Sequence, residues 1–453
     1  MTLRFPIALV LALLLCGCKP AAGPIPGRLS LFFTAQTHGR LTPCGCFTGQ
    51  YGGLARLKTA LRMELPADAI GLDVGDALEG SEDYQLLKYK KVLQAYQGMN
   101  YVALNVGHRE ATLPLDGLRK LAAGSPIPLL SANLLDRSTG KPVLPGWVII
   151  QRSGRRIALV GVVDPKGLED SLGQGLAVED MASCLGRILP ELKRSADVFV
   201  LMAFTDEAGL TDLAKQFYEF RVILGGNVSQ PAQSLISENQ SLIYYTANES
   251  KSFGRLDLIF GADGGITAGE HVITLLHDGY PEDPGIDALN AAYRNEIRKT
   301  TLAIDDPAHV WANQVPGTHP MANYAGSESC LACHATAALA WKQSDHAHAY
   351  EALADRNAGS DPSCIGCHTV GFGTPTGYRR EYAAAKLTEV GCESCHGPGG
   401  IHVSQRQSGA PVTFHFRPLA AGDCIKCHDG EFSRRFDWTN LWPQIQHGKE
   451  THL

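Results

Sequence analysis

The C-terminal third of the chain repeats one short motif, Cys-x-x-Cys-His, four times. Two thiols three positions apart can each form a thioether with a heme vinyl group, and the next residue then places an imidazole at the iron. A single copy would also fit a zinc knuckle or a redox dithiol, but four copies that all end in His predict a tetraheme c-type cytochrome. The predicted heme-attachment cysteines are Cys330, Cys333, Cys364, Cys367, Cys392, Cys395, Cys424 and Cys427. The predicted proximal iron ligands are His334, His368, His396 and His428.

The charge of the chain excludes one class of partner. The chain has 453 residues and a formal net charge of -6, and it contains no run of basic residues, so no nucleic-acid-binding face is predicted. Its length is sufficient for two or three domains with buried cores. The partners that the heme motifs predict are redox proteins that exchange electrons with the hemes.

The N-terminus has the composition of a secretory signal. Arg4 supplies a positive charge, and residues 5–15 form an apolar stretch too short to span a bilayer as a helix. The segment Leu15-Cys16-Gly17-Cys18 resembles a bacterial lipobox in which Cys18 would carry the lipid; an ordinary secretory signal is the alternative. Both predict an extracytoplasmic chain. A lipidated Cys18 would anchor it to a membrane, and Lys19 after the cysteine favours the outer membrane over the periplasmic side of the inner one.

Residues 28–280 alternate strand and helix patterns, which predicts an α/β domain. Apolar runs predict strands at 29–34, 69–74, 101–106, 128–132, 147–151, 157–163, 197–203, 221–224, 241–246, 255–260 and 265–276. Helices are predicted at 53–63, 84–99 and 181–193. The polar residues of this domain are concentrated in the loops that follow the strands.

Those loops carry a resemblance to a known family. The segments Gly52-Gly53-Leu54-Ala55-Arg56 and Leu72-Asp73-Val74-Gly75-Asp76 match a Gly-Gly-x-x-Arg helix start and an Asp-x-Gly-Asp turn. Over most of residues 29–280, the order of motifs resembles the metal-dependent phosphoesterase domain of periplasmic 5'-nucleotidases. The resemblance implies a metallophosphoesterase-like fold with layered sheets and flanking helices.

Most metal-ligand positions of that family are changed in this chain. The resemblance keeps His38 and Asp76 as ligands and places His108 where the family has an amide ligand. Other ligand or catalytic positions carry Gln36, Arg109, Phe204, Asn227 and Ser229. Two divalent cations held close together need several carboxylates and imidazoles to offset their repulsion. The sequence therefore predicts that phosphoesterase activity is lost and that the domain is a scaffold or docking platform.

Two cysteines make a single-metal site at the same strand ends one possible hypothesis. Cys44 and Cys46 follow the first strand, close in sequence to His38, and the resemblance places His108 at the same edge. With Asp76, these five residues form what we call the strand-end site. Thiolate and imidazole suit a single soft metal ion. A strained disulfide between the two cysteines and two inert thiols are the alternatives.

Residues 281–318 are predicted to connect two domains. Residues 283–302 have a helical composition, and Pro307, Pro316 and Pro320 favour a linker after them. The predicted organisation is a signal peptide at 1–18, the α/β domain at 28–280, the helix and linker at 281–318, and the cytochrome domain at 319–453.

The cytochrome domain resembles a second family. The segment Gly391-Cys392-Glu393-Ser394-Cys395-His396-Gly397-Pro398-Gly399 is its most specific match, and residues 324–330 and 341–347 add to it. These segments are similar to the tetraheme cytochromes c of nitrifying bacteria and their relatives. The resemblance implies a mainly α, loop-rich domain whose hemes pack in stacked and edge-on pairs. Most irons would have two His ligands, and the second heme, bound through Cys364 and Cys367, can lack the distal one.

Distal iron ligands must come from the remaining histidines. The predicted distal ligands are His402, His447 and His346, the last on a helix predicted at 335–354. Spacing does not assign them to individual irons. His348 points to another face of that helix, and it is expected, like His319 and His415, to have a surface or hydrogen-bonding role.

Together these features predict a lipid-anchored, extracytoplasmic tetraheme electron carrier. Two alternatives stay open. One is a heme enzyme that reduces a small nitrogen or sulfur oxide at an open iron. The other is a nucleotide- or partner-binding module with residual phosphoesterase activity, for which the hemes provide a redox output.

Overall fold

A computed structural model describes residues 27–43, 50–247, 249–261, 265–306, 323–382, 385–413, 418–428 and 436–448. The predicted signal peptide, Cys18, Cys44 and Cys46 lie outside these residues, as do His319 and His415. Within the described residues, no helix has both the length and the hydrophobicity needed to cross a membrane.

The N-terminal part contains two six-stranded sheets and the helices that cover them. Its strands are β1 Arg28–Thr34, β2 Ile70–Asp73, β3 Tyr101–Asn105, β4 Leu129–Leu130, β5 Leu134–Asp136, β6 Trp147–Arg152, β7 Arg155–Val163, β8 Leu176–Val178, β9 Val198–Phe204, β10 Phe220–Gly225, β11 Ile236–Glu238, β12 Ser241–Tyr245, β13 Ser252–Phe260 and β14 Ile266–Leu275. Its helices are α1 Leu54–Glu64, α2 Asp83–Gln97, α3 His108–Ala111, α4 Leu115–Ala123, α5 Met181–Ser195, α6 Glu207–Gln216 and α7 Pro284–Lys299. Each strand predicted from an apolar run is present, within a few residues of its predicted ends.

Both sheets have a parallel centre. The first has the strand order β14-β13-β1-β2-β3-β4, in which β1 to β4 are parallel and β13 and β14 are antiparallel. The second has the order β11-β12-β10-β9-β7-β6, with an antiparallel strand at each edge. Strands β5 and β8 form a separate antiparallel pair.

The sheets face each other, and helices cover their outer faces. Along β9, Val200 and Met202 join the core between the sheets, whereas Leu201 joins the core beneath α5 and α6. In β1, Phe33 lies between the sheets and Phe32 packs towards α1 and α2. Because alternate side chains of a strand point to opposite faces, a strand buried on both sides reads as a continuous apolar run. The result is a helix–sheet–sheet–helix arrangement.

Helix α7 follows the last strand of the N-terminal part and leads towards the C-terminal part. The Asp283 side chain caps its first turn by accepting hydrogen bonds from the backbone N–H groups of Gly285 and Ile286, and Pro284 occupies a first-turn position where its missing N–H is not needed. The helix contacts α1 and α2. Tyr293 on α7 is fully buried, so the segment at 283–302, predicted only as a connector, packs against the first sheet's helices.

The C-terminal part consists of short helices around a small core. They are α8 Glu328–Leu331, α9 Ala335–Lys342, α10 Glu351–Ala354, α11 Pro362–His368, α12 Cys392–His396, α13 Gly400–Ser408, α14 Ala421–Cys424 and α15 Trp438–Leu441. The buried hydrophobic cluster contains Leu353, Ala358, Ile365, Val370, Tyr378 and Leu387.

The single helix predicted at 335–354 is wrong, because the chain breaks between α9 and α10. His346 lies instead in a 3-10 helix, Asp345–His348. In a continuous helix the Tyr350 N–H would bond to the His346 carbonyl. Here the Tyr350 N–H donates to the Glu389 carboxylate at 2.5 Å, and the His346 carbonyl accepts from the Val390 N–H at 3.1 Å. Tertiary hydrogen bonds to residues 389 and 390 thus replace a helical one.

Candidate functional site

Three pairs of histidine rings face each other in the C-terminal part. Their centroids lie 6.3 Å apart for His334 and His402, 6.0 Å apart for His346 and His428, and 5.8 Å apart for His396 and His447. Each pair joins one motif histidine to one histidine from the predicted distal set. The structure therefore brings each of the three predicted distal histidines next to a motif histidine.

That spacing fits an iron atom between the two rings. Metal–imidazole bonds of about 2 Å, with about 1 Å more from each bonded nitrogen to its ring centre, place two axial rings about 6 Å apart. Each pair includes the His that directly follows two cysteines, so the thiols needed for covalent heme attachment are adjacent. The side chains present fit a c-type heme with two axial imidazoles.

The electrostatic setting of these rings also suits iron ligation. Burial lowers the pKa of His346, and the facing His428 lowers it further. Burial likewise lowers the pKa of His396 and of His428. Lowered pKa values favour neutral imidazole, which is the form that coordinates a metal.

His348 lies outside these pairs, as its position in the sequence predicted. Its side chain is 60% exposed, and its Nδ1 lies 3.3 Å from the Glu351 carboxylate. His346, two residues earlier in the same 3-10 helix, faces His428 instead. The two histidines therefore point to different surroundings although they are close in sequence.

The histidine of the second motif is oriented by the backbone. The Nδ1 of His368 hydrogen-bonds to the Ala349 carbonyl at 2.6 Å. When Nδ1 donates this bond, the other ring nitrogen, Nε2, is left to coordinate iron, and the ring plane is fixed. His368 ends α11, the helix that carries Cys364 and Cys367.

The strand-end site lies where β1, β2 and β3 end. His38 and Asp76 are both buried, and His38 Nε2 is 3.8 Å from an Asp76 carboxylate oxygen. The backbone is left-handed at three non-glycine positions here, with φ of 53° at Gln36, 47° at His38 and 59° at Asp76. Such conformations cost free energy and concentrate at functional sites.

Comparison with known proteins identifies the C-terminal part. The cytochrome c554 and c-prime family matches residues 329–397. Cytochrome c-554 from Nitrosomonas europaea is 40% identical over 104 residues, which covers 19% of this chain and 44% of that protein.

The N-terminal part has different relatives. A 5'-nucleotidase from Vibrio cholerae is 26% identical over 230 residues, which covers 45% of this chain and 40% of that enzyme. The crystal structure of a 5'-nucleotidase precursor from Thermus thermophilus superposes with a TM-score of 0.53 at 21% identity, over 60% of this chain and 59% of the other. The chain joins a 5'-nucleotidase-like metallophosphoesterase fold to a cytochrome c554 domain. It spans less than half the length of the two curated relatives named here.

The predicted fold class and both family resemblances are thereby confirmed. The nucleotidase-like domain has the expected layered sheets, and the cytochrome c554 domain has the expected short helices and loops. These likenesses cover fold and family. They leave the activity of the whole chain to be argued from its own residues.

Three members of the strand-end site, His38, Asp76 and His108, lie in the described part of the chain, and they do not come together there as a metal-binding group. No group of three or more His, Cys, Asp or Glu side chains there has the geometry to hold a metal ion. His108 does not join His38 and Asp76, because its Nε2 hydrogen-bonds to the Asp164 carbonyl at 3.0 Å. Its ring also packs edge-on against Phe204, with centroids 5.1 Å apart. An apolar ring replaces an imidazole of the family at that position, and it offers no lone pair to a cation.

Two buried carboxylates of the nucleotidase-like motifs brace the loops instead. Asp73 accepts hydrogen bonds from the hydroxyls of Thr34 and Tyr96 at 2.7 and 2.8 Å, and burial raises its pKa to about 7. Glu110 accepts from the backbone N–H groups of Asp76, Leu78 and Gly107. Burial, together with the nearby Asp76, raises the pKa of Glu110. These contacts join the loops that follow β2 and β3.

Sequence reasoning missed the role of Glu393 in the cytochrome c554 domain. This residue lies inside the third motif and is 4% exposed. Its carboxylate accepts from the backbone N–H groups of Ala325, Gly326 and Gly399 at 2.9, 2.8 and 2.6 Å. It thus joins the segment before the first motif to the turn after the third. A charged residue between two heme-attachment cysteines was the available signal, since buried carboxylates need several donors.

Proposed function

We propose that this protein is an extracytoplasmic, lipid-anchored tetraheme c-type cytochrome that transfers electrons. Its nucleotidase-like domain acts as a scaffold and docking platform rather than as a phosphoesterase. The observation that carries the proposal is the set of three histidine pairs at 5.8 to 6.3 Å, each containing the histidine of a heme-attachment motif. When bound, c-type hemes supply one-electron transfer at iron.

The chain's own residues would perform five tasks. The paired cysteines attach the hemes, and the motif histidines provide proximal ligands. His402, His346 and His447 provide distal ligands opposite His334, His428 and His396 respectively. Glu393 holds the first and third heme-attachment segments together. The small hydrophobic core around Ile365 excludes water from one side of the second heme-attachment segment. The signal pattern at 1–18 and the lipobox at Cys18 support export and lipid anchoring, and redox proteins would be the partners.

Intact mass spectrometry after acid denaturation tests the heme count. Each motif has both thiols and a histidine, so we expect the mass of the processed chain to increase by four hemes. A lipid on Cys18 would add to the same mass and be lost in Cys18→Ser. An increase of three hemes or fewer would contradict the tetraheme proposal.

Loss of phosphoesterase activity is the second part of the proposal. It is supported by the hydrogen bond of His108 to Asp164 and by the fully buried Phe204. His38 and Asp76 offer two ligands, and a single metal ion would need Cys44 or Cys46 in addition. The strand-end site would then hold at most one ion, which is too few for the two-ion chemistry of this fold.

A nucleotide monophosphate assay with added manganese or zinc tests this loss. We expect the native protein and Asp76→Ala to give the same background rate of phosphate release, because the native site already lacks most ligands. Turnover in the native protein that exceeds background at least tenfold and disappears in Asp76→Ala would show a working phosphoesterase.

One observation favours a second candidate function, reduction of a small nitrogen or sulfur oxide at the second heme. The three predicted distal histidines each face a motif histidine other than His368. If they serve those irons, none of the three remains for the iron at His368, which could then be open to a small ligand. Its spin state decides between this candidate and electron transfer alone.

A further inference from the structure

A charged pair of the nucleotidase-like domain lies against the helix that carries the second heme-attachment motif. Lys88 Nζ donates to a Glu79 carboxylate oxygen at 2.5 Å and to Ser363 Oγ at 2.9 Å. Ser363 Oγ in turn donates to the other Glu79 carboxylate oxygen at 2.8 Å. Ser363 directly precedes Cys364, so this closed triangle lies one residue from a predicted thioether.

A second contact between the N-terminal and C-terminal parts holds the first turn of α11. Asp361 caps α11 by accepting from the Ser363 N–H, and it also accepts from the Tyr293 hydroxyl of α7 at 3.1 Å. The Lys88 ammonium lies 5.3 Å from the centre of the Tyr293 ring. Asp361 and Tyr293 are 4% and 0% exposed, so water is largely absent from this junction.

The strand-end site borders the pair. A Cβ added to Gly39 would lie 3.1 Å both from Glu79 Oε2 and from Lys88 Cδ, so this glycine permits the close approach. Arg109 occupies the position of the family's catalytic histidine, and its guanidinium donates to the Glu79 carbonyl at 2.6 Å. A position that serves catalysis in the resembled family therefore supports the Glu79 loop here.

Both members of the pair are charged. Burial alone would raise the pKa of the Glu79 carboxyl, but Lys88 and the hydrogen bonds to it outweigh burial, and that pKa is lowered. Burial opposes the charge of Lys88, but Glu79 and Asp361 raise its pKa well above the usual range. The side chains of Lys88 and Glu79 are 12% and 10% exposed. Charges so poorly hydrated act over longer distances than surface charges do.

We propose that Lys88 and Glu79 are positioning residues that set the reduction potential of the second heme. Reduction adds one electron to the iron, so a nearby ammonium favours the ferrous state and a nearby carboxylate favours the ferric state. The nucleotidase-like domain thereby forms part of the second heme's environment instead of being a passive carrier. This inference rests on the proposed attachment of a heme at Cys364 and Cys367.

A redox titration of the full-length holoprotein, resolved into its four hemes, tests the proposal. Lys88→Met leaves the carboxylate behind, and we expect the potential of one heme to fall. Glu79→Gln leaves the ammonium behind, and we expect the potential of the same heme to rise. We expect each change to alter that heme's reduction equilibrium about tenfold, equivalent to about 59 mV for one electron. The other three potentials should stay unchanged.

Two controls separate charge from folding. Lys91→Met removes a lysine one turn along α2 that pairs at 2.9 Å with Glu296 rather than with the heme helix, and it should change none of the potentials. The double variant Glu79→Gln/Lys88→Met removes both charges and should return the potential towards the native value. If the Lys88→Met variant cannot be obtained as folded protein, the nearly isosteric Glu79→Gln variant still tests the proposal.

Four results would overturn the proposal. They are shifts of the same sign in both single variants, a shift of all four hemes, a shift in Lys91→Met, and no shift in a variant that carries four hemes by mass. A native protein that lacks the heme at Cys364 would instead refute the proposed function. Mass spectrometry of each sample therefore keeps the two failures distinct.

Discussion

Replacing His346 by Ala is expected to convert one low-spin ferric heme into a high-spin one. The ring of His346 faces that of His428 with centroids 6.0 Å apart, and in our proposal the two are axial ligands of the fourth heme. Alanine removes the distal imidazole and leaves the thioethers and His428 in place. Low-temperature electron paramagnetic resonance of the oxidised protein should therefore show one more high-spin heme per chain than the native protein.

His348→Ala is the matched control. This histidine lies in the same 3-10 helix, but its side chain is 60% exposed and lies beside the exposed side chain of Glu351. We expect its removal to leave the number of low-spin hemes unchanged. An unchanged spectrum for His346→Ala, or equal changes in both variants, would show that His346 is not a distal ligand.

Local sequence patterns were sufficient for most of the fold. Strands such as β9 are buried on both faces and read as unbroken apolar runs, so their positions were predictable without tertiary information. Helix α6, at Glu207–Gln216, was not predicted. It is only ten residues long. Its N-cap residue is Asp206, whose side chain accepts a hydrogen bond from the Gly209 N–H, and an Asp at this position was a sequence signal that could have been used.

Contacts between distant segments explain what the sequence could not show. The break between α9 and α10 depends on Glu389 and Val390, about 40 residues away, and the local composition alone favours a continuous helix. The pairing of the predicted distal histidines with motif histidines is likewise a property of tertiary structure. His402 and His334 are 68 positions apart, whereas their ring centroids are 6.3 Å apart.

The strand-end site shows the same limit. Its motif positions could be read from sequence, and the resemblance correctly indicated a 5'-nucleotidase-like fold. The sequence did not show that His108 hydrogen-bonds to the Asp164 carbonyl, or that Arg109 donates a hydrogen bond to the Glu79 carbonyl. Both depend on how loops from separate strands meet. Cys44 and Cys46 lie outside the described residues, so their disulfide, metal or inert states stay predictions.

Low-temperature electron paramagnetic resonance of the oxidised, fully heme-loaded native protein tests the central claim most directly. In our proposal three histidine pairs serve three of the four predicted irons. None of the three predicted distal histidines then remains for the iron at His368. We therefore predict three low-spin ferric hemes and one high-spin heme per chain. The high-spin iron should bind cyanide or nitric oxide while the other three signals persist. The competing hypothesis is that His319, in the linker before the first motif, supplies a fourth distal ligand. Four low-spin hemes, with a high-spin signal that emerges only in His319→Ala, would support that hypothesis, contradict the open iron and leave electron transfer as the sole function.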